Sequence, residues 1–253
     1  MKADKPLEPH PTLPKYYPDL VQRPAFVRGL FDRTARHYDH INRLLSLGSG
    51  DRYRRRALER IGLRPGMTVL DVAIGTGLVA RQALAITGDP QAVIGLDVSA
   101  GMLAEVKRLL DVPLIQGLME QLPVADACCD FISMGYALRH VADLNVTFRE
   151  FHRALRPGGG LLILEIARPA SPLKRGLLKL YLGWLIPLLG RLTTGERDLQ
   201  TLMRYYWDTI ENCVPPDTII QAIREAGFAE VDCHMELDLF RAYFGRKPGA
   251  ADS

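Results

Sequence analysis

The stretch VLDVAIGTGLVARQALAI, residues 69–86, decides the fold: an apolar run leads into a glycine loop, and apolar residues at helical spacing follow. Similar short apolar runs occupy residues 92–97, 113–117, 130–135 and 161–167. Helical patterns lie between most of these runs, which is typical of a parallel sheet covered by helices on both faces. We therefore predict an α/β fold with a doubly wound, mostly parallel sheet.

The chain closes with one more helix and two more apolar runs. Residues 217–227, DTIIQAIREAG, have helical spacing and begin with an Asp, a favoured N-cap residue. Too few residues separate the runs at 229–235 and 239–245 for a crossover helix, so we expect them to pair as an antiparallel hairpin. The full prediction is a seven-stranded, Rossmann-like sheet with a C-terminal antiparallel hairpin.

We interpret the chain as a single domain, residues 1–253, with helical additions to the sheet. The polar, proline-rich N-terminus predicts a loosely ordered arm, and the other helical segments could cover a cleft. The predicted parts are a flexible arm at 1–25, a helical cap at 26–60, the sheet core at 61–170 and 215–247, and a helical lid at 171–214.

The composition excludes several classes of protein. With 47% hydrophobic and 24% charged residues among 253, the chain is neither disordered nor fibrous. Its 32 Lys and Arg against 29 Asp and Glu leave a net charge of +3, which indicates no nucleic-acid partner. The four cysteines show neither CxxC spacing nor a metal-type spacing to histidines, so we expect no metal site and a reducing, cytoplasmic location.

The glycine loop predicts a ligand site at the start of the following helix. Gly75 and Gly77 allow close approach to backbone N–H groups, and Asp97, about 20 residues on, is positioned for ribose hydroxyls. Asp71 would repel a pyrophosphate, so a cationic ligand such as S-adenosylmethionine fits better than a dinucleotide. The alternative is that Asp71 caps the turn and Asp97 caps the helix that begins near Ser99.

Four segments carry a resemblance to a known class of enzyme: VLDVAIGTG at 69–77, VIGLDVS at 93–99, QGLMEQLPV at 116–124 and LRPGGGLLILE at 155–165. Over residues 61–247 the chain resembles the class I S-adenosylmethionine-dependent methyltransferases. FDRTARHYDHINRLLSLG at 31–48 looks like the N-terminal signature of the C-methyltransferases of ubiquinone and menaquinone biosynthesis. The matching residues are Tyr38, Asp39, Asn42 and Ser46, and in a second signature Arg153, Pro157, Gly158, Gly159 and Glu165.

The resemblance implies S-adenosylmethionine as the cofactor. The residues implied to bind it are Asp71, Gly75, Thr76, Gly77, Asp97, Val98, Met102, Leu118, Met119 and Gly135. The chain departs from the family pattern at five positions. Gly50 and Tyr53 stand where the family usually has His and Trp, and Ala73 stands where Gly is common. Leu118 replaces a short polar residue, and Gly135 replaces a Ser that contacts the cofactor. Because the Leu118 side chain cannot hydrogen-bond, adenine recognition is expected to rest on the backbone around Met119 and on apolar packing.

The resemblance also implies an aromatic acceptor, a quinol or similar phenol, with a lipid tail left open. Methylating a ring carbon of a hydroquinone calls for a group that removes or polarises a phenolic proton. The candidates are His140, Arg139, Tyr206, His37 and Asp39. Arg139 would steer a phenolate or simply pair with Glu165 or Asp143. The side chains expected to line the acceptor pocket or its rim are Tyr38, Asp39, Asn42, Arg204, Tyr205 and Trp207.

Three other functions stay open. One is a methyltransferase acting on the oxygen, nitrogen or carbon of a soluble secondary metabolite. Another is an NAD(P)-dependent reductase that uses the same glycine loop, against which Asp71 and the terminal hairpin count. The third is a noncatalytic binding protein that kept the fold.

Two further features bear on partners. Five arginines lie between Arg52 and Arg60, and an apolar stretch covers 177–189, too short to span a membrane. Together they are compatible with binding to an anionic lipid surface. Alternatively, the arginines form a solvated helix face, and the apolar stretch is an ordinary lid helix or a homodimer contact. We expect a cytoplasmic protein, with peripheral contact to the inner face of the membrane left open.

Overall fold

The predicted strands form one sheet in the computed structural model, which describes residues 6–46, 50–186 and 197–249. The strands are β1 (Val69–Val72), β2 (Val93–Asp97), β3 (Leu114–Gln116), β4 (Cys129–Gly135), β5 (Leu155–Ile166), β6 (Ala229–Glu236) and β7 (Phe240–Arg246). Their order is β3-β2-β1-β4-β5-β7-β6; β7 is antiparallel to both of its neighbours, and the other pairs are parallel. The fold class and the terminal hairpin are confirmed.

Eight α-helices are described. They are α1 (Arg23–Ser46), α2 (Gly50–Arg60), α3 (Leu78–Thr87), α4 (Ala100–Leu109), α5 (Leu144–Ala154), α6 (Pro172–Leu180), α7 (Arg197–Asn212) and α8 (Pro216–Glu225). A π-helical turn, Tyr181–Leu185, continues α6, and a 3-10 turn, Leu138–His140, follows β4. Within the described ranges, no helix is both long and apolar enough to cross a bilayer.

Neighbouring residues of β4 show why the sheet needs cover on both faces. Phe131 packs in an apolar cluster with Leu58 of α2, whereas Ile132 packs in a second cluster with Phe148 of α5 and Ile223 of α8. Successive side chains of a strand point to opposite faces, so a strand that is apolar throughout requires two covering layers. The apolar runs that form β1, β2, β4 and most of β5 are such doubly covered strands, whereas the edge strands β3 and β6 are partly exposed.

The strand β5 begins earlier than the sequence indicates. RPGGG at 156–160 does end α5, but the strand already starts at Leu155, which pairs with Cys129 before a shift of register. Gly159 is needed there, because a Cβ at that position would lie 2.8 Å from the Arg156 carbonyl oxygen. The glycines therefore end a helix and also let two backbones approach each other.

The N-terminal residues 6–22 pack against the core, unlike the loosely ordered arm that their composition predicts. His10 and Tyr17 are each 1% exposed. The Leu7 N–H donates to Asp143 Oδ1 over 3.4 Å, and the Val214 N–H donates to the Pro9 carbonyl over 2.8 Å. Buried side chains and long-range hydrogen bonds thus hold a segment whose sequence is polar overall.

The helices α1 and α7 pack on each other across the carboxyl ends of the central strands. Val27 and Leu30 of α1 form an apolar cluster with Leu202, Met203 and Tyr205 of α7. This helix pair covers the edge of the sheet at which doubly wound folds bind their ligands.

Candidate active site

A cavity lies at the carboxyl ends of β1 to β4, beneath α1 and α7. We call it the central cavity. Seven of the ten residues implied to bind the cofactor line it: Gly75, Asp97, Val98, Met102, Leu118, Met119 and Gly135. The lining also includes Val27, Phe31, Tyr38, Ala73, Leu96, Gly117, Tyr136, Ala137, His140 and Tyr206. The sequence pattern therefore identifies most of the floor of this cavity, and α1 and α7 supply its cover.

Asp97, at the end of β2, holds two loops together and also faces the central cavity. Its Oδ2 accepts a hydrogen bond from the Gly75 N–H over 2.9 Å, and its Oδ1 accepts one from the Ser99 N–H over 2.8 Å. Burial raises the pKa of this carboxyl group to about 6. Each carboxylate oxygen has a second lone pair, so ribose hydroxyls can bind alongside the backbone groups. Fixing the local backbone and facing the ligand site are compatible at this residue.

The two loop glycines serve different purposes. Gly75 has φ +57° and lines the central cavity. Gly77 has φ +83°, and a Cβ there would lie 2.7 Å from Leu110 Cδ1 and 2.8 Å from Val106 Cγ2. Gly77 is therefore required by the packing of the loop on α4, and within the described residues it lines none of the cavities of the site.

Asp71 lies in a second, smaller cavity beside the glycine loop, which we call the loop cavity. It shares this cavity with Thr76 and Arg54. Ser133 Oγ donates to Asp71 Oδ1 over 2.6 Å, whereas Oδ2 is buried without a hydrogen-bond partner among the described residues. Burial raises the pKa of the carboxyl group to about 7. A cationic group in the loop cavity would satisfy Oδ2 and stabilise the ionised form.

The helix α1 is fastened to both cofactor loops by carboxylates. Asp32 Oδ1 accepts hydrogen bonds from Ser99 Oγ over 2.6 Å and from the Gly101 N–H over 2.9 Å. Asp39, a predicted acceptor-site residue, accepts a hydrogen bond from the Thr76 hydroxyl. These bonds close the cavities with α1, so Asp39 contacts the glycine loop.

Two departures from the family pattern have a structural setting. A Cβ at Gly135 would lie 2.7 Å from Val79 Cγ2, so Val79 occupies the space in which a larger side chain would start. Ala73 adopts φ +55°, a left-handed conformation that costs a non-glycine residue about 1–2 kcal/mol. This conformation explains why glycine is common at that position.

An apolar chamber of about 280 Å³ adjoins the central cavity. It is lined by α1, α2, β5, α6, α7 and the β6–β7 hairpin, through residues that include Asn42, Tyr53, Ile166, Leu178, Met203 and Phe240. Tyr38 and Tyr206 line both the chamber and the central cavity, and their hydroxyl oxygens are 2.5 Å apart. Burial raises the pKa of both phenols, so both are protonated at neutral pH. A pair of hydroxyl groups thus separates the two spaces.

The expected aromatic pocket contains Tyr38 and Tyr206, but among the described residues its lining does not include Tyr205 or Trp207. Tyr205 packs in the apolar cluster between α1 and α7, and Trp207 packs against Leu182 and Ile210. The reason is helical geometry: three consecutive residues of α7 point about 100° apart, so one of them can face the pocket. Arg204, expected at the rim, is exposed on the same helix.

Arg139 is committed to a buried ion pair. Its Nε donates to Glu165 Oε2 over 2.7 Å and its Nη1 donates to Thr209 Oγ1 over 2.9 Å. Its guanidinium carbon lies 5.2 Å from the centre of the Tyr206 ring, and in the described structure Arg139 lines neither the central cavity nor the chamber. Of the two roles predicted for Arg139, the structure supports pairing with Glu165.

The two candidate histidines lie in different surroundings. His140 is buried, lines the central cavity, and stacks on Tyr205 with ring centres 5.5 Å apart. Burial and the nearby Arg139 cation hold its pKa well below the usual range, so the imidazole is neutral. Its Nε2 has no hydrogen-bond partner in the described part of the chain. His37 is half-buried on α1 and is not part of the described lining of any of these cavities.

Sequence reasoning missed Tyr136, Arg54 and Phe31. Tyr136 follows β4 directly, has φ +63°, and lines all three cavities. Arg54 is the one member of the arginine cluster that turns inward; Arg55, by contrast, pairs with Glu59 on the surface over 2.9 Å. Two features of the sequence could have identified these residues. Tyr136 comes directly after a predicted strand, and the helical spacing of α2 places Arg54 on a different side from Arg55.

Comparisons with known proteins agree with this geometry. A sequence profile of the ubiE/COQ5 methyltransferase family matches residues 20–237. The chain belongs to that family. The Ubiquinone/menaquinone biosynthesis C-methyltransferase UbiE of Syntrophotalea carbinolica is 37% identical over 210 residues, which are 81% of this chain and 86% of that protein. The Demethylmenaquinone methyltransferase of Symbiobacterium thermophilum is 33% identical over 225 residues, 85% of this chain and 89% of that protein.

Solved structures share the fold. A SAM-dependent methyltransferase of Thermotoga maritima, described as a possible histamine N-methyltransferase, has a TM-score of 0.60 at 20% identity and covers 87% of this chain and 99% of its own. Phosphoethanolamine N-methyltransferase 2 of Haemonchus contortus, bound to S-adenosylhomocysteine, has a TM-score of 0.61 at 17% identity, covering 91% of this chain and 59% of its own. The family membership and the fold together make this chain an S-adenosylmethionine-dependent methyltransferase.

Proposed function

We propose that this methyltransferase transfers the methyl group of S-adenosylmethionine to a ring carbon of a reduced quinone precursor in ubiquinone or menaquinone biosynthesis. The observation that carries the proposal is the apolar chamber, which meets the central cavity at Tyr38 and Tyr206. The names of the UbiE and demethylmenaquinone methyltransferase relatives support the same acceptor class. A planar ring with an apolar substituent matches a chamber that is apolar along most of its wall and polar at one end.

The residues of the central cavity fit the cofactor. Asp97 would bind the ribose hydroxyls, while Val98, Met102, Leu118 and Met119 would pack on the adenine. The buried Asp71 Oδ2, which lacks a partner among the described residues, suits the ammonium group. When bound, S-adenosylmethionine supplies a methyl group already activated on a sulfonium, so the protein mainly aligns the reactants and excludes water.

The acceptor must gain electron density at carbon before it can attack the methyl group. In our proposal His140 accepts or polarises a phenolic proton of the quinol, because its neutral imidazole lines the central cavity. The tautomer required has Nδ1–H facing the Tyr205 hydroxyl, 3.5 Å away, and the lone pair on Nε2. The ring carbon would then take the methyl group that the cofactor supplies; the proton displaced from that carbon would leave to water, and His140 would return its proton to the phenolate oxygen.

Tyr38 and Tyr206 would position the acceptor. Both phenols are protonated; because one hydroxyl donates to the other, the O–H of the accepting phenol is free to donate to a quinol oxygen. Arg139, 5.2 Å from the Tyr206 ring centre, holds that ring by a cation–π contact and is a positioning residue.

We further propose that the acceptor carries a lipid tail and that the enzyme meets it at a membrane surface. An apolar surface patch consists of Leu173, Leu177, Leu180, Trp184, Leu185 and Leu237, with Trp184 72% and Leu237 82% exposed. Leu178, Tyr181, Leu237 and Leu239 line both the chamber and a groove beneath this patch. Exposed Arg52 and Arg56 at the chamber suit anionic headgroups.

The acceptor is tested by comparing the quinones of host cells with and without this chain. Mass spectrometry of cells that lack this chain should show a demethylated quinone accumulating in place of the mature quinone, and the wild-type gene should restore the mature form. An unchanged pool without the chain would contradict the proposal and favour a soluble secondary metabolite as the acceptor.

A further inference from the structure

Arg54 is a buried cation whose charge no nearby carboxylate neutralises fully. It is 5% exposed, and its Nε has no hydrogen-bond partner among the described residues. Its contact with Asp51 is 3.4 Å long, and the Asp51 side chain is 57% exposed. The guanidinium carbon lies 5.6 Å from the centre of the Tyr136 ring. Burying a guanidinium with an unsatisfied N–H is costly unless an anion completes its shell.

The loop cavity places this cation near Asp71, whose carboxylate it stabilises through space without a hydrogen bond. Arg54 and Asp71 both line it, and each has one buried polar atom, Nε and Oδ2 respectively, without a partner in the described structure. Gly75 and Thr76 of the glycine loop line the same cavity. A ligand that satisfies both atoms carries a cationic and an anionic group a few bonds apart, which describes the zwitterionic end of an amino acid.

We propose that Arg54 binds the carboxylate of the cofactor's methionine end while Asp71 binds its ammonium group. A guanidinium can hold a carboxylate through two parallel N–H donors, which gives orientation as well as affinity. Anchoring both charged groups would fix the amino-acid end. The sulfur would then rotate less, and its methyl group would stay directed toward the chamber. The proposal concerns the cofactor alone and is independent of the acceptor.

Calorimetry without any acceptor tests it with three ligands. S-adenosylhomocysteine carries both charged groups, its decarboxylated analogue carries only the ammonium, and 5′-methylthioadenosine carries neither. Arg54→Gln should weaken S-adenosylhomocysteine binding by about 10- to 100-fold, because a charge-assisted hydrogen bond is lost. It should leave the affinity for the two other ligands within about twofold. Asp71→Asn should weaken binding of the decarboxylated analogue as well.

Arg55→Gln is the matched control, since Arg55 is exposed on the same helix, pairs with Glu59 on the surface, and is absent from the described lining of the central cavity, the chamber and the loop cavity. It should leave all three affinities unchanged. Equal loss of all three ligands in Arg54→Gln would mean that Arg54 only supports the fold and would overturn the proposal. So would an unchanged S-adenosylhomocysteine affinity. If Arg54→Gln does not fold, Arg54→Lys can be used instead, because it retains the charge. We expect Arg54→Lys to lose affinity for S-adenosylhomocysteine selectively.

Discussion

Asp71 combines a raised pKa with a position in the loop cavity, and we expect that combination to make cofactor binding sensitive to pH. In the free protein, burial favours the protonated carboxyl group and raises its pKa to about 7. Its contribution to the free energy of unfolding is present at acid pH and is lost as the pH rises through that value. A bound ammonium group reverses this preference, because it stabilises the carboxylate. Binding should therefore release a proton from Asp71 below its pKa.

We predict that the affinity for S-adenosylhomocysteine rises between about pH 6 and about pH 8, by up to tenfold per pH unit below the pKa of Asp71. Calorimetry in buffers of different ionisation enthalpy would measure both the affinity and the released proton. The Asp71→Asn variant should bind more weakly at about pH 8 and lose the proton release in this range. Proton release that persists in the variant would assign the effect to another group.

Tyr206 gives a second residue-level prediction. Removing its hydroxyl in Tyr206→Phe keeps the ring over Arg139 but deletes one of the two donors between the cavities. We expect kcat/KM for the acceptor to fall by about 5- to 20-fold, which corresponds to about 1–2 kcal/mol for one hydrogen bond. The Kd of S-adenosylhomocysteine should stay within about twofold of wild type. An equal loss of cofactor affinity would place the hydroxyl in the cofactor site.

At this scale the sequence predicted most of the site residues at strand ends, with Tyr136 as an exception, and missed those that depend on helix packing. Asp97, Val98 and Gly135 lie just where the alternation of strand and helix puts them. Tyr205 and Trp207, in contrast, share α7 with Tyr206, and their rotation about the helix axis depends on how α7 packs on α1. The sequence spacing alone does not determine this rotation of α7, because the rotation depends on where α1 packs.

At the scale of elements, α1 is the part that closes the site. Asp32 joins it to Ser99 and Gly101, and Asp39 joins it to Thr76. The glycine loop and the loop after β2 are therefore covered by a helix held through carboxylates, and we expect some of these bonds to break when a ligand enters or leaves the central cavity. Closure of this kind sequesters the reaction from water.

We predict that Asp32→Ala speeds release of S-adenosylhomocysteine in stopped-flow measurements by about 5-fold or more, since it removes two hydrogen bonds of the closed state. The association rate should change less. Asp19→Ala is a suitable control, because Asp19 bonds only locally, to Gln22, through a 2.9 Å contact with its N–H and a side-chain contact. Unchanged release in the Asp32 variant would show that α1 does not limit cofactor exit.

Elements also show how local sequence signals are overridden. The run RPGGG lies before the apolar run predicted at 161–167 and ends α5, but it also belongs to β5, because β4 pairs with Leu155 and Gly160. The proline-rich residues 6–22 were expected to be loosely ordered, but they pack because Tyr17 and His10 fill space beside α1. Both differences arise from tertiary contacts that composition does not report.

At the scale of the whole molecule, the surface patch over the chamber should bind membranes. Transferring exposed apolar side chains from water gains about 25 cal/mol per Å² of area buried, and each basic residue near an anionic surface adds up to about 1 kcal/mol. We predict sedimentation with anionic liposomes at low salt and partial release at high salt.

Trp184→Ser combined with Leu180→Ser should abolish most of this association, whereas Val21→Ser should not. Val21 is 87% exposed but lies outside the patch, so it tests whether any exposed apolar residue suffices. Equal binding by wild type and the double variant would remove the patch from the membrane proposal without affecting the methyl-transfer chemistry.

The central claim is that a methyl group is transferred to a ring carbon of a quinol. The most direct measurement combines the purified enzyme with demethylmenaquinone that has been chemically reduced to the quinol. The second substrate is S-adenosylmethionine with an isotopic label in its methyl group. NMR and mass spectrometry of the product should place the label on a ring carbon, with one equivalent of S-adenosylhomocysteine formed. A label on oxygen, or no transfer to the quinol while a tail-less soluble phenol is methylated efficiently, would contradict the claim.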